Sequence, residues 1–387
     1  MRAFVFTDPA LTSRAGQFVW LAIDTDSERN PGFTSKFSLE AWPSFYVVNP
    51  QDESVALRWV GAMTVAQVES FLDDALRTLT AATPSSATDA ALASADKLYA
   101  SGKNAEAAEL YAKALDTAPD GWPHRGRAVE ALLFAYQSMK SSDKCVALAR
   151  EALARLGGTP SVVTVSTGGL DCALKLKDDV PTRTQAIADM EAAVRRALAD
   201  PGAAAAADDR SAAYLSLLEA RKAAKDAAGA RRTAEEWTVF LETQAVAVKT
   251  PEQRAVFDSH RLTAYLELGQ PERAILMLEA AERDLPDDYN PPARLAAAYK
   301  AMKRWDDALA ACGRALPKIY GPRKVRLLQG QADVYLEKGD RAAARRALEE
   351  ALKYAESLPP GQRSETTIGA LKKKLAESEK KETTGSS

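Results

Sequence analysis

The sequence predicts a small α/β domain followed by a long all-α array of helical hairpins, and three observations point to it. A motif of small residues returns about every 34 residues through most of the chain. Short continuous apolar runs, separated by Pro, Asp and Asn, are confined to residues 1–80. The chain has 387 residues, enough for two domains, and 51 basic against 53 acidic residues give a net charge of −2. This balance argues against a nucleic-acid partner, which requires a strongly basic face.

The front elements follow from their apolar patterns. Phe18–Ile23 is a continuous apolar run of the kind found in a buried parallel strand, closed by Asp24-Thr25-Asp26. Residues 31–37 suit a short helix. Trp42-Pro43-Ser44 opens a second strand, Phe45–Val48, and a turn at 49–53 leads to its hairpin partner, Val55–Trp59. Thr64 caps a helix to about Leu79, with Gln67 three residues on placed for a capping box. Residues 81–88, rich in Thr, Ala, Ser and Pro, form a linker.

The repeats occupy 89–375. One helix of each unit ends near Leu98, Tyr265, Tyr299 or Tyr335, a turn with Gly or Lys follows, and the second helix carries Ala107, Ala274, Ala308 or Ala344 at the crossing point. Alanine there lets two axes approach closely. Pro119 and Pro286 stop the second helix because proline cannot continue its hydrogen-bond ladder. The pattern is fainter in the middle, where residues 157–160 and 200–202 break helices, yet about seven hairpins fit between residues 85 and 357. Residues 376–387 form a polar tail expected to be disordered.

The repeat residues resemble the tetratricopeptide family. That resemblance implies a superhelix whose first helices line a groove for extended peptides, making the chain a protein-interaction scaffold rather than an enzyme. Carried over, the groove positions are Glu130, Phe134 and Gln137, then Asn290 and Lys300, then Arg326, Gln329 and Asp333. The lysine–asparagine clamp that some family members use on acidic tails is unmatched, because the first unit carries Leu92 and Asp96 there. The front residues Ala22-Ile23-Asp24, Trp42-Pro43 and Val60-Gly61-Ala62 resemble the later two-thirds of a thioredoxin-like domain. This implies a cis Trp42–Pro43 bond and a peptide-binding face at Trp42 and Pro43. The first strand and the Cys-x-x-Cys pair of that family are unmatched, and Met1–Pro9 takes the place of the helix that follows them. Either the redox motif lies upstream in a longer form, making the chain a fragment of a thiol–disulfide oxidoreductase, or the domain is a redox-silent platform.

Other chemistry is sparse. Cys145, Cys172 and Cys312 are well separated in sequence, and buried structural thiols are the expectation. Among the two histidines and three cysteines no metal-ligand spacing occurs, no phosphate-binding glycine loop is present, and no cofactor is implied. Asp24 and Asp26 read as turn residues, and Lys372–Lys374 as a solvated helix end. No apolar run reaches membrane-spanning length, so no membrane insertion is expected; the chain as it stands reads as cytoplasmic, with a periplasmic or secreted location the alternative for a longer form.

Overall fold

The computed structural model describes residues 1, 3–37, 39, 42–80 and 86–384. The chain divides into two compact units. Unit 1 comprises Met1–Val19 with Phe37–Phe240; unit 2 comprises Trp20–Lys36 with Leu241–Ser387.

The front elements are a turn of 3-10 helix at Pro9–Arg14, α1 (Pro31–Lys36), β1 (Ser44–Val48), β2 (Val55–Val60) and α2 (Val65–Thr80). β1 and β2 pair antiparallel, Ser44 opposite Val60 and Val47 opposite Leu57, with an irregularity between Val47 and Val48. The Trp42–Pro43 bond is cis. The α2 cap is the expected box: Thr64 Oγ1 accepts from the Gln67 backbone at 3.2 Å, and Gln67 Oε1 accepts from the Thr64 backbone at 2.9 Å.

Two front expectations fail. Phe18–Ile23 is not a strand: Phe18 makes only an isolated bridge to Ala15, while Val19 and Leu21 are 88% and 76% exposed. An apolar run becomes a buried strand only when neighbouring strands bond its backbone, and the one sheet among the described residues has two strands. Residues 3–7 form turns rather than the end of a helix. A thioredoxin-like sheet is therefore not formed. Instead, Val5, Leu57, Trp59, Met63, Phe71 and Leu72 close a small core between the hairpin and α2.

Fourteen helices then pair as seven hairpins: α3 (Ala87–Ala100) with α4 (Asn104–Thr117), α5 (Arg125–Ser138) with α6 (Ser142–Leu153), α7 (Ser161–Leu174) with α8 (Arg183–Ala199), α9 (Ala207–Ala223) with α10 (Ala227–Ala247), α11 (Pro251–Glu267) with α12 (Glu272–Asp284), α13 (Asn290–Ala301) with α14 (Trp305–Ala315), and α15 (Gly321–Lys338) with α16 (Arg341–Ser357). α17 (Glu365–Thr384) follows. It runs past residue 375 into the stretch expected to be disordered, whose last residues, 385–387, lie outside the described ones, as do 81–85 of the linker. Helix α3 starts within the rest of that linker, capped by the Ser86 side chain.

The crossing alanines are where the repeat requires them. Ala107, Ala274 and Ala308 have no exposed surface and Ala344 almost none. The faint third hairpin has Ala186 there, 1% exposed, and adds glycine on its first helix. A Cβ on Gly169 would stand 2.7 Å from both Ala149 Cβ and Met190 Sδ, so α7 lies closer to α6 and α8 than alanine permits. The same interface holds a correction to the cysteine expectation: Cys145 on α6 and Cys172 on α7 form a disulfide, with Cα atoms 6.1 Å apart. Cys312 is a buried thiol, and burial pushes its pKa up to about 11, the reverse of a reactive thiolate.

Candidate protein-binding site

In unit 1 the face expected to be a groove is filled. Strand β2 lies against α3 and α5. Its Arg58 guanidinium stacks over the Tyr99 ring at 3.7 Å, and its Arg58 carbonyl accepts from Arg127 Nη1 at 3.3 Å. Arg127 also bonds the Asp96 carboxylate at 2.5 Å, and the Tyr111 hydroxyl donates to the other Asp96 oxygen at 2.7 Å. All five side chains are buried, and Asp96 is balanced by Arg127 rather than by water, while Arg58 Nε and Nη1 and Arg127 Nε have no hydrogen-bond partner among the described residues.

Of the three groove residues expected here, Glu130 is buried and Phe134 and Gln137 are half-buried. Glu130 is only 5% exposed; its Oε1 has no hydrogen-bond partner, and burial raises its pKa to about 8, with the nearby Asp209 adding to the rise. Phe134 packs against the core of the first repeats. Gln137 Nε2 is spent on the Gly168 carbonyl of α7, at 3.3 Å. The covering hairpin and the tight approach of α7 are the cause.

A cavity of about 660 Å³ lies beside this cluster, bordered by Trp59, Asp74, His124, Arg155 and Ser161. His124 Nδ1 is 3.0 Å from Asp74 Oδ2. Burial disfavours ionisation of Asp74, but hydrogen bonds from His124 and Arg77 outweigh it and hold the carboxyl below its usual range. The His124 imidazole is thus committed to the buried Asp74 carboxyl.

Unit 2 keeps a different face. Along α15, Arg326, Gln329, Asp333 and Glu337 recur at helical spacing and form one stripe. Lys300 of α13 meets Glu337 at 3.1 Å, and Lys374 of α17 meets Asp333 at 3.3 Å, so charges tie successive helices across it. Gln329 is half-buried. Arg326 is exposed and has no ion-pair or hydrogen-bond partner among the described residues. Asn290 departs from the expectation: its backbone and side-chain nitrogens both bond Asp288 Oδ1, at 2.8 and 2.7 Å, so it closes the turn before α13. Trp42 is 66% exposed, and the Pro43 carbonyl accepts from Gly61 at 2.9 Å; this pair belongs to unit 1, whereas the α15 stripe belongs to unit 2.

Sequence reasoning missed Tyr320, Arg323 and Gln362, which hold a distant segment of unit 2. A signal existed: α15 opens with Gly321-Pro322-Arg323-Lys324-Val325-Arg326 and has no acidic residue in its first turn. Cations at a helix N-terminus oppose the backbone dipole unless carboxylates come from elsewhere.

These features define a helical-hairpin array with a polar stripe along α15 and, among the described residues, no cluster able to hold a metal ion. Residues 289–357 match the family model of the tetratricopeptide repeat. No curated protein matches the sequence. Solved structures that are similar include a tetratricopeptide repeat protein from Parabacteroides merdae, at 12% identity over 75% of this chain and 98% of that one, with a TM-score of 0.48. A thermophilic TPR protein of Thermus thermophilus is 15% identical over 76% and 98%, with a TM-score of 0.25. The TPR2AB domain of yeast Sti1, in complex with pHSP90, is 17% identical over 76% and 98%, with a TM-score of 0.29. Among the described residues no helix is long and apolar enough to cross a membrane.

Proposed function

We infer that the chain is a protein-interaction scaffold whose unit 2 binds an extended segment of a partner along the α15 stripe. The observation that carries this reading is Arg326, an exposed cation with no partner among the described residues, in a stripe whose Asp333 and Glu337 are both ion-paired. A face of paired charges with one uncommitted guanidinium suits a peptide held by hydrogen bonds and a carboxylate. Lys300 and Asp333 then act by fixing the spacing of α13, α15 and α17. The front hairpin enters this reading as a cover for the first repeats. The oxidoreductase alternative draws no support from the cysteines present: two are joined to each other and the third is buried with a raised pKa.

The test is a pull-down with the immobilised full chain. Replacing Arg326, Gln329 and Asp333 together by alanine abolishes recovery of the native partner, while the far-ultraviolet circular dichroism and melting temperature stay nearly unchanged. Undiminished recovery removes the site from this face and overturns the reading.

A further inference from the structure

Residues 20–36, read from sequence as part of a strand, a turn and a short helix, belong to unit 2 and dock there through polar groups. The Tyr320 hydroxyl donates to Asp24 Oδ2. Arg323 Nε meets Asp26 Oδ2 at 2.6 Å, and the same guanidinium is steadied by the Tyr289 hydroxyl at 2.5 Å. Gln362, 7% exposed, donates from Nε2 to the carbonyls of Thr25 and Ser27 at 2.9 and 3.0 Å, and its buried Oε1 has no partner.

The docked piece is a compact turn. Asp24 Oδ1 accepts from the Asp26 backbone at 3.0 Å, and Asn30 Nδ2 donates to the Asp24 carbonyl at 2.8 Å. Unit 2 is shaped to it at two glycines. Gly321 has a φ of +60°, and a Cβ there would stand 2.4 Å from the Asp26 carbonyl oxygen; a Cβ on Gly361 would stand 2.5 Å from Thr34 Oγ1.

The contact is selective and weakly anchored. Each acceptor of the turn meets a matched donor: a phenol and a guanidinium for two carboxylates two residues apart, and one amide for two alternate carbonyls. Yet none of residues 20–36 enters the apolar clusters described for unit 2. A polar, partly exposed contact of this kind releases at low cost. The α15 N-terminus, where Tyr320 makes no side-chain cap and the first turn carries cations without an acid, receives two carboxylates from this turn.

We propose that the N-terminal end of α15, with Gln362, is a recognition site for a turn-forming acidic segment of the pattern Asp-x-Asp, and that residues 24–27 occupy it in cis until a partner bearing that pattern displaces them. The proposal rests on the reading of unit 2 as a peptide-binding array and extends it by one turn from Arg326 to Arg323. Tethering sets the competition: carried on the same chain, residues 24–27 at an effective concentration on the order of millimolar weaken a trans ligand of ~100 μM intrinsic affinity about tenfold.

The experiment uses the full chain and a fluorescein-labelled peptide of residues 21–31, read by anisotropy. The peptide binds the Asp24→Asn/Asp26→Asn chain about tenfold more tightly than wild type. Binding is lost when Arg323→Ala and Gln362→Ala are added, and when both aspartates of the peptide are replaced by asparagine. Binding that persists in the Arg323/Gln362 variant, equal affinity for the wild-type and doubly substituted chains, or no binding to a doubly substituted chain with native circular dichroism each overturns the proposal. The single Asp26→Asn variant, expected to show intermediate affinity, serves if the double variant does not fold. Alanine at Gln329 and Asp333 leaves this peptide's affinity unchanged, which separates failure here from failure of the stripe in the pull-down.

Discussion

Glu130 gives unit 1 a pH-dependent stability whose size follows from its burial. The unfolded chain holds this carboxyl at an ordinary 4.5, and the fold holds it at about 8 because burial removes water from the charged form. Below the lower value both states are protonated and the group contributes nothing. Between the two values the folded state keeps a proton that the unfolded state has lost, so stability falls with rising pH by ~1.4 kcal/mol per pH unit. Above the higher value the loss is complete. Raising the pH from about 5.5 to about 8.5 therefore removes roughly 3 kcal/mol through this one residue. Glu130→Gln keeps the shape and cannot ionise. The variant should gain roughly 3 kcal/mol on wild type between those two pH values, measured by urea unfolding with circular dichroism. Asp209 and Asp258, raised to about 7 and about 6 by burial, titrate in both proteins and cancel in the comparison. Parallel pH profiles for wild type and Glu130→Gln would show that Glu130 is solvated in the fold, and would refute the reasoning.

Two further outcomes rest on packing and buried charge. Gly169→Ala should cost ~1–3 kcal/mol, because Ala149 Cβ is fixed to its helix and cannot move aside; Gly313→Ala, where an added Cβ meets nothing within 4 Å, should be neutral or slightly stabilising in the same denaturation assay. Asp96→Ala should cost ~3–5 kcal/mol by leaving Arg127 buried and unpaired, while the apolar pair Asp96→Leu/Arg127→Met should recover most of it in urea midpoints. A single-variant loss no larger than that of a surface charge would refute the buried pairing.

The hairpin array was legible because its determinant is local. A crossing between two helices in one unit needs a small residue at a fixed distance from the turn, and Ala107, Ala274, Ala308 and Ala344 announce it. The third hairpin was faint because the breaks at 157–160 and 200–202 flank it and α7 approaches its neighbours through Gly168 and Gly169. The α2 cap and the β1–β2 hairpin were legible for the same local reason. What failed depended on partners remote in sequence. Whether Phe18–Ile23 pairs in a sheet is decided by strands elsewhere, and Asp24 and Asp26 find their donors at Tyr320 and Arg323. Glu130 sits at a position that the resemblance places on a groove; the hairpin over that face and the close approach of α7, remote in sequence, make it a buried acid. On α15, Arg326 stays exposed and Gln329 half-buried.

The disulfide between α6 and α7 has a consequence for how the stack comes apart. In an array where each hairpin touches only its neighbours, opening starts at a free end and advances one interface at a time. Cys145 lies in the second hairpin and Cys172 in the third, so the bond rivets an interface between hairpins and not a hairpin to itself. Unravelling that reaches it from either side meets a joint that cannot separate, and the hairpins on its two sides can exchange protons or be clipped by proteases without the whole stack following.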